Sequence, residues 1–269
     1  MTWQARLALD YRRAGTRTRL DRRHSGPLQV QKALYPEGES LCHTLIVHPP
    51  GGIAGGDDIA IDARVAAGAQ ALVTTPGATK WYKANGQRAR QHIALAIDGG
   101  CEWLPQEAIV FDQAQADSRI DIALAAEAAT IGWDIVALGR AAAGESFTDG
   151  VFTQTIRLTD DGALQWVERT RIAGGDALLD SPIGLAGHHV FGCLWAAGPR
   201  WSDAQLDEIR AALQAEAAPI TRVAPRLLLA RVLAASTPAA RAALAAVWRV
   251  LRPRVFDGRA AVPPRIWAT

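Results

Sequence analysis

Residues 152–172, FTQTIRLTDDGALQWVERTRI, decide the fold class. Two stretches of alternating character flank Thr159-Asp160-Asp161-Gly162, and an Asp-Gly pair favours a tight reversal, so the segment reads as a β-hairpin. Ile156 and Leu158 fall on one face of its first arm, as a half-buried strand requires. The same character extends upstream. Short β-branched or alternating runs recur at 41–48, 58–65, 70–75, 90–97, 118–125 and 129–138, between glycine-rich turns. No long helical pattern separates them, which argues against a doubly wound parallel fold. The alanine-rich 123–131 is discounted as a helix, since the preceding RIDIALA alternates. The expectation is a mainly β protein, antiparallel-rich or stacked: a large stacked or helical-type β scaffold over residues 1–200.

The last third changes character. Ser202 can cap a helix, Gln205 can complete the capping box, and Trp201 can staple against Leu206, with Leu206, Ile209 and Leu213 along one face. A second start lies at Thr237-Pro238. Its helix carries Leu244, Val247, Trp248 and Leu251 and is expected to stop before Pro253. Between the two, the apolar 226–233 reads as a third, largely buried helix. This gives a small helical subdomain over 201–252. The final segment, 253–269, is expected to pack back on the body or on a partner, because it spends a tryptophan, Trp267, close to its end.

Bulk properties narrow the function. Hydrophobic residues are 49% and charged residues 21% of 269, and a formal charge of +2 gives no electrostatic case for nucleic acid. Seven arginines lie between Arg6 and Arg23 against only Asp10 and Asp21, a basic strip best read as a solvated edge strand. Cys42, Cys101 and Cys193 are odd in number and widely spaced, so they form neither a disulfide framework nor a Cys-x-x-Cys site. No run reaches the roughly 18 apolar residues of a membrane span, and the opening residues lack a signal peptide's apolar region. A cytoplasmic location is expected.

The densest motif is HPPGGIAGGDD, from His48 to Asp58. It has no lysine after its glycines, a strand rather than a helix follows, and Asp57 and Asp58 would repel phosphate, so it is no phosphate cradle. His43 and His48 are five residues apart, which puts them on opposite faces of a regular strand and makes them poor co-ligands. A demanding turn, or a weak cation site using the aspartates, remains. TTPGATKWYKANG (74–86) offers a turn at Pro76-Gly77 and the pair Trp81-Tyr82 with Lys80 and Lys83 on either side, a pattern typical of an interface anchor. CEWLPQEAIVF (101–111) adds Glu102, Trp103 and Glu107. No nucleophile elbow or catalytic triad order is present.

Taken together, these stretches resemble the urease accessory protein family UreD (UreH). The matching blocks are 24–38, 42–57, 74–86, 102–111, 132–147 and 251–269, in the family's order from end to end. One departure is Trp81, where the family usually has tyrosine or phenylalanine. The resemblance implies a non-catalytic scaffold, largely β with a small helical part. It implies binding to UreF, to the GTPase UreG through UreF, and to the urease apoprotein, with no nucleic acid or membrane partner. It implies no tightly bound cofactor, only transient Ni2+ crossing UreF and UreD in a water-filled tunnel. The family's tunnel positions match Asp57, Thr79, Asp134 and Glu168. Scattered carboxylates and hydroxyls pass a hydrated dication, whereas clustered imidazoles and thiolates would trap it. On this reading His48, Pro49, Pro50, Gly51, Gly52, Gly55 and Gly56, with Pro76 and Gly77, shape the scaffold, and Trp81, Tyr82, Trp103 and Trp267 are interface candidates. The competing expectation is a stand-alone metal-binding protein or small-molecule enzyme. It requires Asp57, Lys80 and Glu107 to converge within about 3–4 Å of one point.

Overall fold

The computed structural model describes residues 2–213 and 217–268. The chain opens with an antiparallel hairpin of β1 (Gln4–Ala14) and β2 (Arg17–Ser25), and β2 forms the outer edge of a seven-stranded sheet. The basic strip lies here as expected: charged side chains on an exposed edge discourage pairing with another chain. β3 (Gln29–Leu34) and β4 (Leu41–Val47) then begin a second, eleven-stranded sheet.

From β4 onward the chain repeats a three-sided coil. The first turn is β4, β5 (Gly52–Ile53) and β6 (Asp58–Val65). The second is β7 (Gln70–Thr74), β8 (Thr79–Trp81) and β9 (Ala89–Ile97). The third is β10 (Gly100–Trp103), β11 (Ala108–Val110) and β12 (Gln115–Leu124). Equivalent strands stack in parallel: β4 on β7 on β10, β5 on β8 on β11, β6 on β9 on β12. β13 (Ala129–Leu138) and β14 (Val151–Asp160) complete the stack. The expected hairpin closes the seven-stranded sheet as β14 and β15 (Ala163–Ala173), paired antiparallel. β16 (Val190–Ala197) pairs antiparallel with β13. The stacked β scaffold is therefore what forms. The antiparallel-rich alternative is confined to the flanks, because a coil brings each strand back in the same direction.

Two apolar layers hold the fold. Inward side chains of the seven-stranded sheet align across strands: Leu7, Ile61, Ile93, Ile120 and Ile156 share one row, Leu9, Ala63, Leu95, Ile122 and Leu158 the next. All ten are buried and belong to the core between the sheets, each large one contributing about 1.5–3 kcal/mol. A second core lies on the other face of the eleven-stranded sheet, beneath α1 (Asp203–Ala212) and α2 (Thr237–Val255). Ser202 and Gln205 make the expected capping box for α1, and Leu206 and Ile209 face inward.

Two expectations are corrected. Residues 226–233 are not a helix: all but Arg226 lie in β18 (Leu227–Ala234), paired to β16 on one side and to β17 (Ile220–Ala224) on the other. Leu227, Leu228, Leu229 and Ala230 are buried in succession, and a strand covered on both faces reads as a continuous apolar run, just as a buried helix does. The second helix does not stop before Pro253 but runs to Val255, capped by Ser236 rather than Thr237. Its last turn is held from outside. Arg252, fully buried, donates to Glu102 at 2.9 and 3.0 Å and to Glu37 at 2.7 and 2.9 Å. Trp248 Nε1 also donates to Glu102 (2.8 Å), and His43 bonds Glu37 at 2.9 Å. The chain end folds back on this region, with the Trp267 ring 5.0 Å from Trp133 and 5.5 Å from Trp248.

Candidate functional site

The inter-sheet core is interrupted where polar residues take inward positions. Along β13, Trp133 and Ile135 point to the helical side, so the intervening Asp134 faces the other sheet. It aligns with Cys193 of β16, and Cys193 with Arg231 of β18. From the opposite sheet, Gln154 of β14 donates to Asp134 Oδ2 at 2.8 Å, and Glu168 of β15 accepts from Arg231 at 2.5 Å. Burial pushes the Asp134 carboxyl up to about 6, against the Gln154 hydrogen bond that favours its charge; the Glu168 charge adds to the rise.

Asp134 and Gln154 stand between two cavities and line both. The inner one, about 310 Å3, is also lined by His48, Thr79, Lys80, Trp103 and Gln106. The outer one, about 600 Å3, carries Glu168, Cys193 and Arg231 and opens beside the hairpin. The inner cavity holds unpaired polar atoms: His48 Nε2, Trp103 Nε1 and Gln106 Oε1 are buried without a protein partner. Burial lowers the His48 imidazole below its usual range, against the opposing pull of Asp57, so it is uncharged at neutral pH.

The glycine-rich motif delivers His48 to this cavity. Gly51 N–H donates to the His48 carbonyl at 2.8 Å, with Gly51 at a φ of +77° that favours glycine. A Cβ on Gly52 would meet the Tyr82 ring at 2.6 Å and the Lys80 carbonyl at 2.8 Å, so only glycine lets β5 stack on β8 here. Pro49 and Pro50 lie in the turn after β4, and Gly55 and Gly56 in the turn before β6. Pro76 and Gly77 form the bend between β7 and β8, along the cavity wall.

The four positions carried over from the family thus separate. Thr79, Asp134 and Glu168 lie along the two cavities. Asp57 lines neither. It is 2% exposed, and its carboxylate accepts from Trp3 N (2.7 Å) and Ala54 N (2.8 Å), tying the amino-terminal strand to the motif. Two of the proposed interface anchors are core instead: Trp81 is 1% and Trp103 3% exposed, so neither offers its ring to a partner. Both sit on inward positions of short coil strands, where a large apolar ring fills the turn of the coil. Tyr82 is half-buried with its ring 5.3 Å from Phe111, and Trp267 is spent on the body as described.

The enzyme arrangement does not assemble. Glu107 is held by Arg241 and Thr237 of α2, Asp57 is held by the amino terminus, and Lys80 alone of the three lines the inner cavity. Among the described residues no group of three or more His, Cys, Asp and Glu side chains is placed to hold a metal ion, and no helix is long and apolar enough to cross a membrane.

Gln154, Cys193 and Arg231 escaped the sequence reading. For Gln154 a signal was present: it takes an inward position in the series Phe152, Gln154, Ile156, Leu158, where an amide is out of place. Arg231 and Cys193 join Asp134 through strand register, and a segment read as a helix has no strand register.

Comparison with known proteins identifies the family. A family model described as "UreD urease accessory protein" matches residues 4–268. The chain is 50% identical over 270 residues to a protein of Pseudomonas aeruginosa named "Urease accessory protein UreD", covering 99% of this chain and 95% of that one. Proteins of the same name from Pseudomonas fluorescens and Dechloromonas aromatica are 51% and 48% identical, each covering 100% of this chain and 96% or 95% of their own length.

Proposed function

The chain belongs to the UreD family of urease accessory proteins, and from that premise we propose that it forms part of the route by which nickel enters the urease active site. Its family role is accessory, in urease maturation, rather than catalytic. In the proposed reading, the protein works in the cytoplasm, docks on apo-urease and binds UreF, with UreG joined through UreF. Ni2+ is cargo, passing and not staying.

The observation that supports this reading is the wall shared by the two cavities. Asp134 and Gln154 line both the inner space beside Thr79 and the outer space beside Glu168, so one carboxylate and one amide stand where the two spaces adjoin. The chemistry suits transit. Separated carboxylates, a hydroxyl and an amide offer hard oxygen acceptors without a cage that would hold a borderline cation such as nickel. Asp134, with its carboxyl near pH 6, is ionised at neutral pH but held less firmly charged than a surface acid.

The test is co-expression with UreF, UreG and the urease subunits, comparing wild type with Asp134→Ala and Glu168→Gln. The expected result is an assembled complex whose urease carries several-fold less nickel. Full nickel loading by both variants would refute the route.

A further inference from the structure

We propose that the free edge of β15 is a docking site for an extended segment of a partner protein, which adds to the sheet as a further strand. The segment carries an acid, an apolar residue and an acid at three successive positions. This docking stands apart from the passage reading and does not depend on it.

β15 ends the seven-stranded sheet and, among the described residues, pairs with β14 alone. The bond from Gly174 N–H to the Gly150 carbonyl (3.0 Å) sets the alternation of that ladder. Ile172, Thr170 and Glu168 therefore bond across to β14, while Arg171, Arg169 and Val167 turn their N–H and C=O groups to the open edge. The outer cavity, about 600 Å3, runs along this edge. Five successive residues, Glu168 to Ile172, line it. Side chains of a strand alternate between faces, so one space touches all five only through the strand's edge. Across the cleft stand Leu178, Ile183 and Leu185 of the loop 174–189, with Phe191 and Leu233.

Apolar exposure and charge give the occupant's chemistry. Of the eight large hydrophobic side chains exposed among the described residues, five lie on β15 or the cleft wall: Leu164, Val167, Leu178, Ile183 and Leu233. Exposed apolar side chains gathered in one place, unlike scattered ones, mark an interaction surface. Ile183 is 94% exposed on a loop that is pinned, with Gly184 N–H donating to the Ser181 carbonyl and Leu185 N–H to the Leu178 carbonyl, both at 2.8 Å. Arg169 and Arg171 are exposed and form no ion pair or hydrogen bond, and their cross-strand neighbours on β14 are Thr155 and Thr153. A second copy of β15 at this edge would bring arginine against arginine, so the strand that fits is acidic. Its residues beside Arg169 and Arg171 lie two apart and take the acids. The residue between them points to the other face, into the cleft toward Leu178, Ile183 and Leu233. Main-chain bonds then supply affinity, and the alternating side chains supply selectivity.

Amide hydrogen exchange, read at single residues, compares the chain alone with the chain assembled with UreF, UreG and the urease subunits. The amides of Val167, Arg169 and Arg171 are expected to exchange freely in the chain alone and at least about tenfold more slowly in the complex. Equal exchange in both overturns the docking. The double reversal Arg169→Glu with Arg171→Glu, and separately Ile183→Asp, change exposed side chains and leave thermal melting unaltered. Each is expected to weaken retention of the docked partner roughly tenfold, with Arg169→Lys plus Arg171→Lys close to wild type. Wild-type retention by both the reversal and Ile183→Asp also overturns it. The nickel content of urease matured with Asp134→Ala decides the passage separately. Full loading with protected edge amides refutes the passage and leaves the docking in place; poor loading with unprotected edge amides does the reverse.

Discussion

A carboxylate that costs its own protein stability is a useful pointer to function. Asp134 is such a group. Its folded-state carboxyl is raised to about 6 from an ordinary 3.8, so the folded chain holds its proton more tightly than the unfolded one. Stability is therefore lost as pH rises through the window between those values, by up to about 3 kcal/mol in order of magnitude. Asp134→Asn should melt several degrees higher than wild type at pH 8, with the gain vanishing near pH 4; a destabilised Asn variant at pH 8 would contradict this account. Asp57 behaves oppositely. Its two oxygens satisfy Trp3 N and Ala54 N, so Asp57→Ala orphans two part-buried donors and should cost about 1–3 kcal/mol in denaturant unfolding. Of the three acids and one hydroxyl picked out in the sequence, all were visible as residues, but their division into cavity-lining and scaffold positions was not. Asp57 differs from Asp134 by which backbone donors lie near it, and one of its two, Trp3 N, comes from 54 residues away.

Elements were legible in proportion to how locally they are specified. The hairpin at 152–172 declares itself through Asp-Gly and alternation, and the capping box at Ser202 through two residues three apart. β18 did not, because Leu227 and Leu229 are buried in the inter-sheet core and Leu228 and Ala230 beneath the helices, and nothing local distinguishes such a run from a helix. The end of α2 was misplaced for a related reason: the penalty of Pro253 is offset by Arg252, whose partners Glu37 and Glu102 lie 215 and 150 residues away. Arg252→Met should cost roughly 3–5 kcal/mol, since it leaves two buried carboxylates without their cation. The pH dependence follows Glu37. Burial would raise its carboxyl, but the bonds from His43 and Arg252 bring it down to about 2. Its stabilisation is present above the ordinary value of 4.5 and is lost as pH falls toward about 2, so acid unfolding of Arg252→Met should begin at higher pH than in wild type. Gly132→Ala probes β13 itself. Its new Cβ would fall 2.2 Å from the Trp195 ring, which is fully buried and cannot move aside, and the expected loss is about 1–3 kcal/mol.

At the scale of the whole molecule, the coil explains why the inter-sheet core opens at one layer. Strands stacked in parallel rows build a core from aligned ladders, and a polar residue placed in one ladder opens the core at that layer alone. Gln154 interrupts the row series that Ile156 and Leu158 continue, and Asp134 meets it from the facing sheet. The flanking antiparallel strands then bring Glu168 and Arg231 to the outer mouth. The overall β scaffold and the two helices of the last third followed from pattern; the strands between those helices did not. The layer at which the two sheets leave space depended on register, which alternation does not reveal.

The most direct test of the passage is to block it without altering its charge. Gln154→Trp places a large neutral ring at the wall between the two cavities, with space on either side to receive it. Urease matured with this variant in the otherwise wild-type accessory complex should be assembled but nickel-poor, as measured by metal content per active site. Nickel content equal to wild type, from a complex that carries the variant, would contradict a route through Asp134 and Gln154.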